Sequence, residues 1–251
     1  MIIFKIHFLY WIMAFICAFC GLFKNFLYFS LLIIVHELGH FMGAKIYNWK
    51  VKKIVILPFG GITIFNEIIS KSLFEELIIL ILGPLFQIAF YCLYTKIFGF
   101  NFILHNYHYA LLLFNLLPIF PLDGFKLLNI CFNKVISFKM SHLITIIISY
   151  ITIILVLFIT LKYNLSFIML LALMFLISKN IEEFLNHNLL FNKFLLERYL
   201  YNINLKKTKI IKSNNLNKMK RDYKHIFYYD KKYETEKSFL KKKFDIKHKL
   251  C

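Results

Sequence analysis

Apolar runs recur along the chain, separated by polar breaks, at residues 8–23, 26–46, 77–98, 107–131, 142–161 and 165–177. A helix needs about 20 apolar residues to cross the hydrocarbon core of a bilayer, so the pattern predicts six membrane helices. The first run is short and follows Lys5, as a signal peptide would. No small-x-small cleavage site comes after it and a second run begins at once, so it reads as a retained helix. After the second run, Val51–Leu57 is rich in β-branched residues, Pro58, Gly60 and Gly61 interrupt it, and Ile62 to Phe65 resume. That pattern predicts a short β-hairpin. The fourth run is broken by Pro118 and Pro121. Proline removes helical hydrogen bonds, and non-helical backbone at membrane depth is tolerated only inside protein or beside water. The predicted fold class is an all-α membrane protein: six transmembrane helices, a short membrane-associated β-hairpin after the second, and a basic cytoplasmic tail. Residues 1–200 form the membrane domain and 201–251 the tail.

Composition agrees with this picture: 60% of the 251 residues are hydrophobic, where a soluble domain has about 45–50%. Charge adds orientation. Lys50, Lys52, Lys53 and Lys71 lie between runs two and three, and Lys134 and Lys139 between runs four and five, whereas residues 99–106 hold no Lys or Arg. Basic loops stay cytoplasmic, so six spans put both termini inside. From Leu205 onward 16 Lys and Arg stand against 5 Asp and Glu, a net +11 of the chain's +18. A basic cluster near a span is drawn to anionic lipid, and no nucleic-acid motif accompanies it. Five cysteines show no paired spacing; Cys17 and Cys20 lie inside an apolar run and read as packing residues.

Chemistry enters at "LLIIVHELGHFMGAKIY". Charged side chains at a helix centre cost about 2.5–3.5 kcal/mol each, and ionisable residues persist there mainly where they do chemistry or line a polar cavity. His36 and His40 are four apart, so one helix face presents both to a single metal ion. A catalytic zinc site takes three protein ligands plus water, and Glu37 stands beside the pair to accept a proton. The third ligand must be acidic, and near the runs stand Glu67, Glu75, Glu76, Asp123, Glu182 and Glu183. Only Asp123 lies in the broken fourth run, so Asp123 is the expected ligand, with one zinc ion per chain.

"HELGH", "LPFGG", "GPLFQ" and "FNLLPIFPLDG", in that order, resemble the site-2 protease class of intramembrane zinc metalloproteases over about residues 6–199. The opening "KIHFLYW" and "ILPFGGI" favour its sporulation branch. The resemblance implies His36, His40 and Asp123 as zinc ligands, Glu37 as general base, and Asn115 as the residue that orients substrate or its oxyanion. It implies a membrane-associated protein substrate in a bacterial inner or forespore-surrounding membrane, most specifically a sporulation sigma-factor precursor, and an inhibitory membrane partner. Anti-sigma factors and signal-peptide remnants fit the same site. An exposed hairpin strand beside the site would hold an unwound substrate as an added strand. Phe59 and Gly60 at its turn, and Pro121 in the kink, join Asn115 as substrate-binding candidates.

Two departures stand out: Phe125 replaces a usual second glycine after Asp-Gly, and Gln87 replaces the usual Asn of Gly-Pro-x-x-Asn. Both bear on packing or substrate fit rather than on chemistry. The branch often ends in a nucleotide-sensing regulatory domain; the residues after Leu200 are too few for a pair of its repeats, and "KRDYKHIFYYD" reads as a remnant of one. A metal transporter would need several ligand sets along a path, where the sequence offers one. A non-catalytic scaffold would be expected to lose Glu37, which is present.

Overall fold

In a computed structural model of the chain, residues 3–58, 60–67, 69–163, 167–201, 203, 205, 207–229 and 231–245 are described. Their order is β1 (Ile3–Ile6), α1 (Phe8–Phe19), α2 (Phe23–Ile46), β2 (Val51–Leu57), β3 (Gly60–Phe65), α3 (Leu73–Phe98), α4 (Phe102–Leu116), α5 (Asp123–Val135), α6 (Phe138–Lys162), α7 (Phe167–Leu200), β4 (Lys207–Ile211), β5 (Tyr223–Tyr229), β6 (Lys232–Thr235) and α8 (Glu236–Asp245). Among the described residues three helices, α2, α3 and α6, are long and apolar enough to cross a membrane. On α6 the usual burial order is inverted: Ile147, Ile151, Ile154 and Phe158 are exposed, while Ser141, Thr145 and Ser149 are buried. Apolar residues outside and small hydroxyls at the helix contacts are what lipid, rather than water, selects.

The fourth apolar run is two helices, α4 and α5, joined by an irregular stretch at 117–122. The backbone groups that the prolines leave unpaired are taken up by neighbours. Phe120 N donates to Ser149 Oγ at 3.2 Å, and Asn180 Nδ2 donates to Phe120 O at 3.0 Å. Ser149 Oγ also donates to Asn180 Oδ1 at 2.5 Å, closing the brace. The stretch is therefore fixed between α6 and α7, and it delivers Asp123 as the first residue of α5.

α2 ends in a Schellman turn. Asn48 takes a positive φ of 54°, Asn48 N donates to Lys45 O, and Trp49 N donates to Ala44 O at 2.8 Å. The turn packs Trp49 on Ala44 and Ile79 and sends the chain back along α2 as β2. The predicted hairpin is present but has a third member: β1 pairs in parallel with β2, and β2 pairs antiparallel with β3, giving the order β1-β2-β3. β1 covers one edge of the hairpin, and β3 is the edge strand on the other side.

The basic region is not a loose tail. β4 pairs in parallel with β5, and β5 antiparallel with β6, and Ile211, Met219, Phe227, Phe239 and Leu240 form one core with Phe191, Phe194 and Leu195 of α7. α7 is 34 residues long, about 51 Å at 1.5 Å per residue, and its second half packs against this core. Buried Arg198 donates to the carbonyls of Lys220, Arg221 and Tyr223 and pairs with buried Glu236 at 3.7 Å. His225 N donates to Glu236 Oε2 at 2.8 Å.

Burial pushes the Glu236 carboxyl up, but the His225 hydrogen bonds and the Arg198 charge outweigh it and hold its pKa below the usual value. The stabilisation is thus present at neutral pH and is lost as pH falls through that lowered pKa. Removing one partner of a buried pair costs about 3–5 kcal/mol. Arg198→Met is therefore expected to open residues 207–245 to limited trypsin digestion at neutral pH, whereas wild type opens only in acid, where pepsin, active at low pH, reads it. Digestion of Arg198→Met at the wild-type rate would refute the anchoring role of the pair.

Candidate metal centre

His36, Glu37 and His40 lie in the second half of α2, and all three are buried. They are there because α2 and α3 cross on small residues: a Cβ at Gly39 would strike the Leu82 carbonyl, and one at Gly83 would occupy the His40 ring. α5 begins at Asp123, where the positive end of the helix dipole favours a carboxylate. The three side chains meet. His36 Nε2 is 3.0 Å from Asp123 Oδ2, His40 Nε2 is 2.9 Å from the same oxygen, and the two Nε2 atoms are 3.1 Å apart. Among the described residues this is the one group of three such side chains whose ligand atoms lie close enough for one metal.

The surrounding hydrogen bonds say what these atoms carry. Gln87 Nε2 donates to the His108 carbonyl at 3.0 Å, which turns Gln87 Oε1 toward His36 Nδ1, also at 3.0 Å. A carboxamide oxygen only accepts, so the His36 proton sits on Nδ1. His40 Nδ1 faces the Ile79 carbonyl at 2.9 Å and is protonated for the same reason. With both imidazoles neutral, as metal ligands are, the Nε2 atoms are lone pairs that face each other and a carboxylate oxygen. Three acceptors converging in a buried site repel unless a cation lies among them, and two imidazole nitrogens with one carboxylate oxygen make a donor set that zinc accepts. The residues present fit a zinc ion.

The other acidic candidates are engaged elsewhere. Glu67 pairs with Lys71, Glu76 with Arg221, Glu182 with Lys179, and Glu183 with His142. Trp49 Nε1 donates to Glu75 at 2.7 Å. Asn115 Nδ2 is 3.4 Å from His36 Nε2. Gly60 opens β3 facing Asn115. With Gly61, Ile62, Pro121, Leu122 and Phe175, Gly60 lines a slot of about 20 Å³ between β3 and the 117–122 stretch, room for about one water. Phe59 falls outside the described residues. Cys17 and Cys20 are unpaired.

One expectation needs correcting. Gln87 bears directly on the chemistry, because it fixes the tautomer and ring orientation of His36. It stands 51 positions from His36, so no local pattern connects them; a fully buried amide in an apolar helix was the available signal. Phe125 is a packing residue, with its ring against Phe120 and His142.

The profile described as Peptidase family M50 matches residues 25–107. Stage IV sporulation protein FB of Bacillus subtilis is 33% identical over 217 residues, covering 77% of this chain and 70% of that protein. A zinc metalloprotease of Methanocaldococcus jannaschii is 35% identical over 119 residues, covering 43% of this chain and 34% of its own length. Among solved structures, a site-2 protease from Methanocaldococcus jannaschii superposes with a TM-score of 0.58 at 25% identity, covering 72% of this chain and 90% of that one. Together with these matches, the convergent imidazole and carboxylate donors inside an apolar helical protein identify an intramembrane metalloprotease. The chain belongs to peptidase family M50, the site-2 proteases, and is a zinc-dependent integral membrane protein.

Partners that orient a metal-bound histidine through its second nitrogen are worth roughly 10–100-fold in metal affinity. Gln87→Leu, which cannot accept from His36 Nδ1, is expected to weaken zinc binding by that factor in a competition titration against a chelator. Unchanged affinity would mean that Gln87 only fills space.

Proposed function

We propose that this protease cuts a membrane-associated protein precursor, with His36, His40 and Asp123 as the zinc ligands and Glu37 as general base. The reading is carried by the three acceptors within 2.9–3.1 Å of one another, with a buried carboxylate on the adjacent residue. Zinc, when bound, supplies Lewis acidity that brings the pKa of a catalytic water toward about 7. Glu37 takes the proton from that water and returns it to the leaving amine. The Asn115 amide donates toward the scissile carbonyl oxygen as its charge grows. Lys126 Nζ, 3.3 Å from Asp123 Oδ1, holds the ligand's second oxygen away from the centre.

A helical substrate must be unwound before a peptide bond reaches these groups. β3 is the edge strand of its sheet and lies against the site at Gly60 and Gly61, so an extended segment pairs there as a further strand. The slot beside Pro121 is too small for a peptide, and binding therefore parts β3 from the 117–122 stretch. Six spans with both termini cytoplasmic remain our proposed topology, with 1–200 as the protease domain. The folded basic region after it then faces anionic lipid.

The name of the Bacillus subtilis relative supports a sporulation role, and a sigma-factor precursor is our proposed substrate, with an inhibitory membrane protein as partner. Co-expression with a membrane-associated sigma-factor precursor from the same host tests the reading. Wild type should process it, and Glu37→Gln should lose at least about 10²-fold in rate while keeping its zinc. Equal processing by both would contradict the mechanism.

A further inference from the structure

We propose that Thr63 is the positioning residue that aims Glu37, so that the strand offered to substrate also orients the base; this rests on the role given to Glu37 above. Thr63 Oγ1 donates to Glu37 Oε2 at 2.6 Å, and both residues are buried, at 5% exposure each. A hydroxyl donating to a carboxylate at that distance is a strong, charge-assisted bond. Among the described residues Thr63 is the one hydrogen-bond partner of Glu37. Without it no hydrogen bond among the described residues selects which oxygen of the buried carboxylate faces the centre.

The geometry is specific to β3. Successive residues on a strand point to opposite faces, so Gly61 and Thr63 face the same way. Gly61 has no side chain, and a Cβ there would overlap the Glu37 carboxylate. Gly61 thus leaves the space and Thr63 supplies the donor. Thr63 is itself held by the ladder, opposite Ile54 of β2, and its β-branched side chain has little χ1 freedom. A hydroxyl has one proton to give, so Oε2 is fixed and Oε1, lying against Gly61, keeps its acceptor capacity.

The same strand edge receives the substrate in our reading. Strand pairing on β3 therefore acts on the base through one hydrogen bond, and only a correctly seated peptide leaves Glu37 aligned. Misplacement by about 1 Å is enough to cost on the order of 10²-fold in rate.

The test uses the full chain loaded with zinc in detergent and the sigma-factor precursor of the co-expression experiment. Thr63→Val keeps the shape and removes the donor; Thr63→Ser keeps the donor. For Thr63→Val we expect kcat to fall roughly 10–100-fold, with KM and zinc content as in wild type, and Thr63→Ser to recover most of the loss. Wild-type kcat in zinc-loaded Thr63→Val would overturn the proposal. So would equal losses in Val and Ser, a rise in KM alone, or loss of zinc, because each assigns Thr63 to packing, substrate contact or the metal instead. If wild type and Glu37→Gln process the precursor alike, the role of Glu37 itself has failed, a result separate from every Thr63 outcome.

Discussion

Two imidazole lone pairs and a carboxylate oxygen, each about 3 Å from the next, are held together where the effective dielectric constant is low. With both rings neutral, a metal ion at the point they surround relieves their mutual repulsion. The protein has to build this arrangement where every ionisable group is costly, and much of the fold is organised around that need. Gln87 and the Ile79 carbonyl hold the protons on the far side of the rings. Gly39 and Gly83 bring α3 close enough for Ile79 to reach His40.

The third ligand is a separate problem, because it lies 83 residues beyond His40 and must arrive from a broken helix. The break frees backbone polar groups, and Ser149 and Asn180 take them up from two other helices. Six helices, α2 to α7, thus contribute to the position of these three side chains. The sheet supplies what helices cannot, an unpaired backbone edge beside the site, and Thr63 of its strand β3 donates to the Glu37 carboxylate as well. The folded region after α7 is tied to the rest of the chain: Arg221 pairs with Glu76 at 2.6 Å and donates to the Lys71 carbonyl at 3.3 Å.

The meeting of His36, His40 and Asp123 was legible in the sequence because lipid penalises ionisable residues, so they and Glu37 stood out against an apolar background. Proline and glycine made the helix break and the hairpin turn equally plain. What stayed hidden depended on distance along the chain or on mixed patterns. β1 pairs with a strand nearly fifty residues away, and Thr63 is an ordinary strand residue until Glu37 is placed beside it. In the basic region lysines mask a strand alternation in which His225 and Phe227 are buried between partly exposed neighbours. Net charge suggested a tail drawn to anionic lipid, and charge on outer positions is compatible with a core beneath them.

The central claim is that α2 and α5 meet at one zinc ion held by three residues. Zinc per chain, measured by elemental analysis of detergent-purified wild type and Asp123→Ala, tests it without a substrate. The account predicts one equivalent in wild type and a large loss in the variant. Wild type that is folded yet binds no zinc, or a variant that keeps its full equivalent, would contradict it.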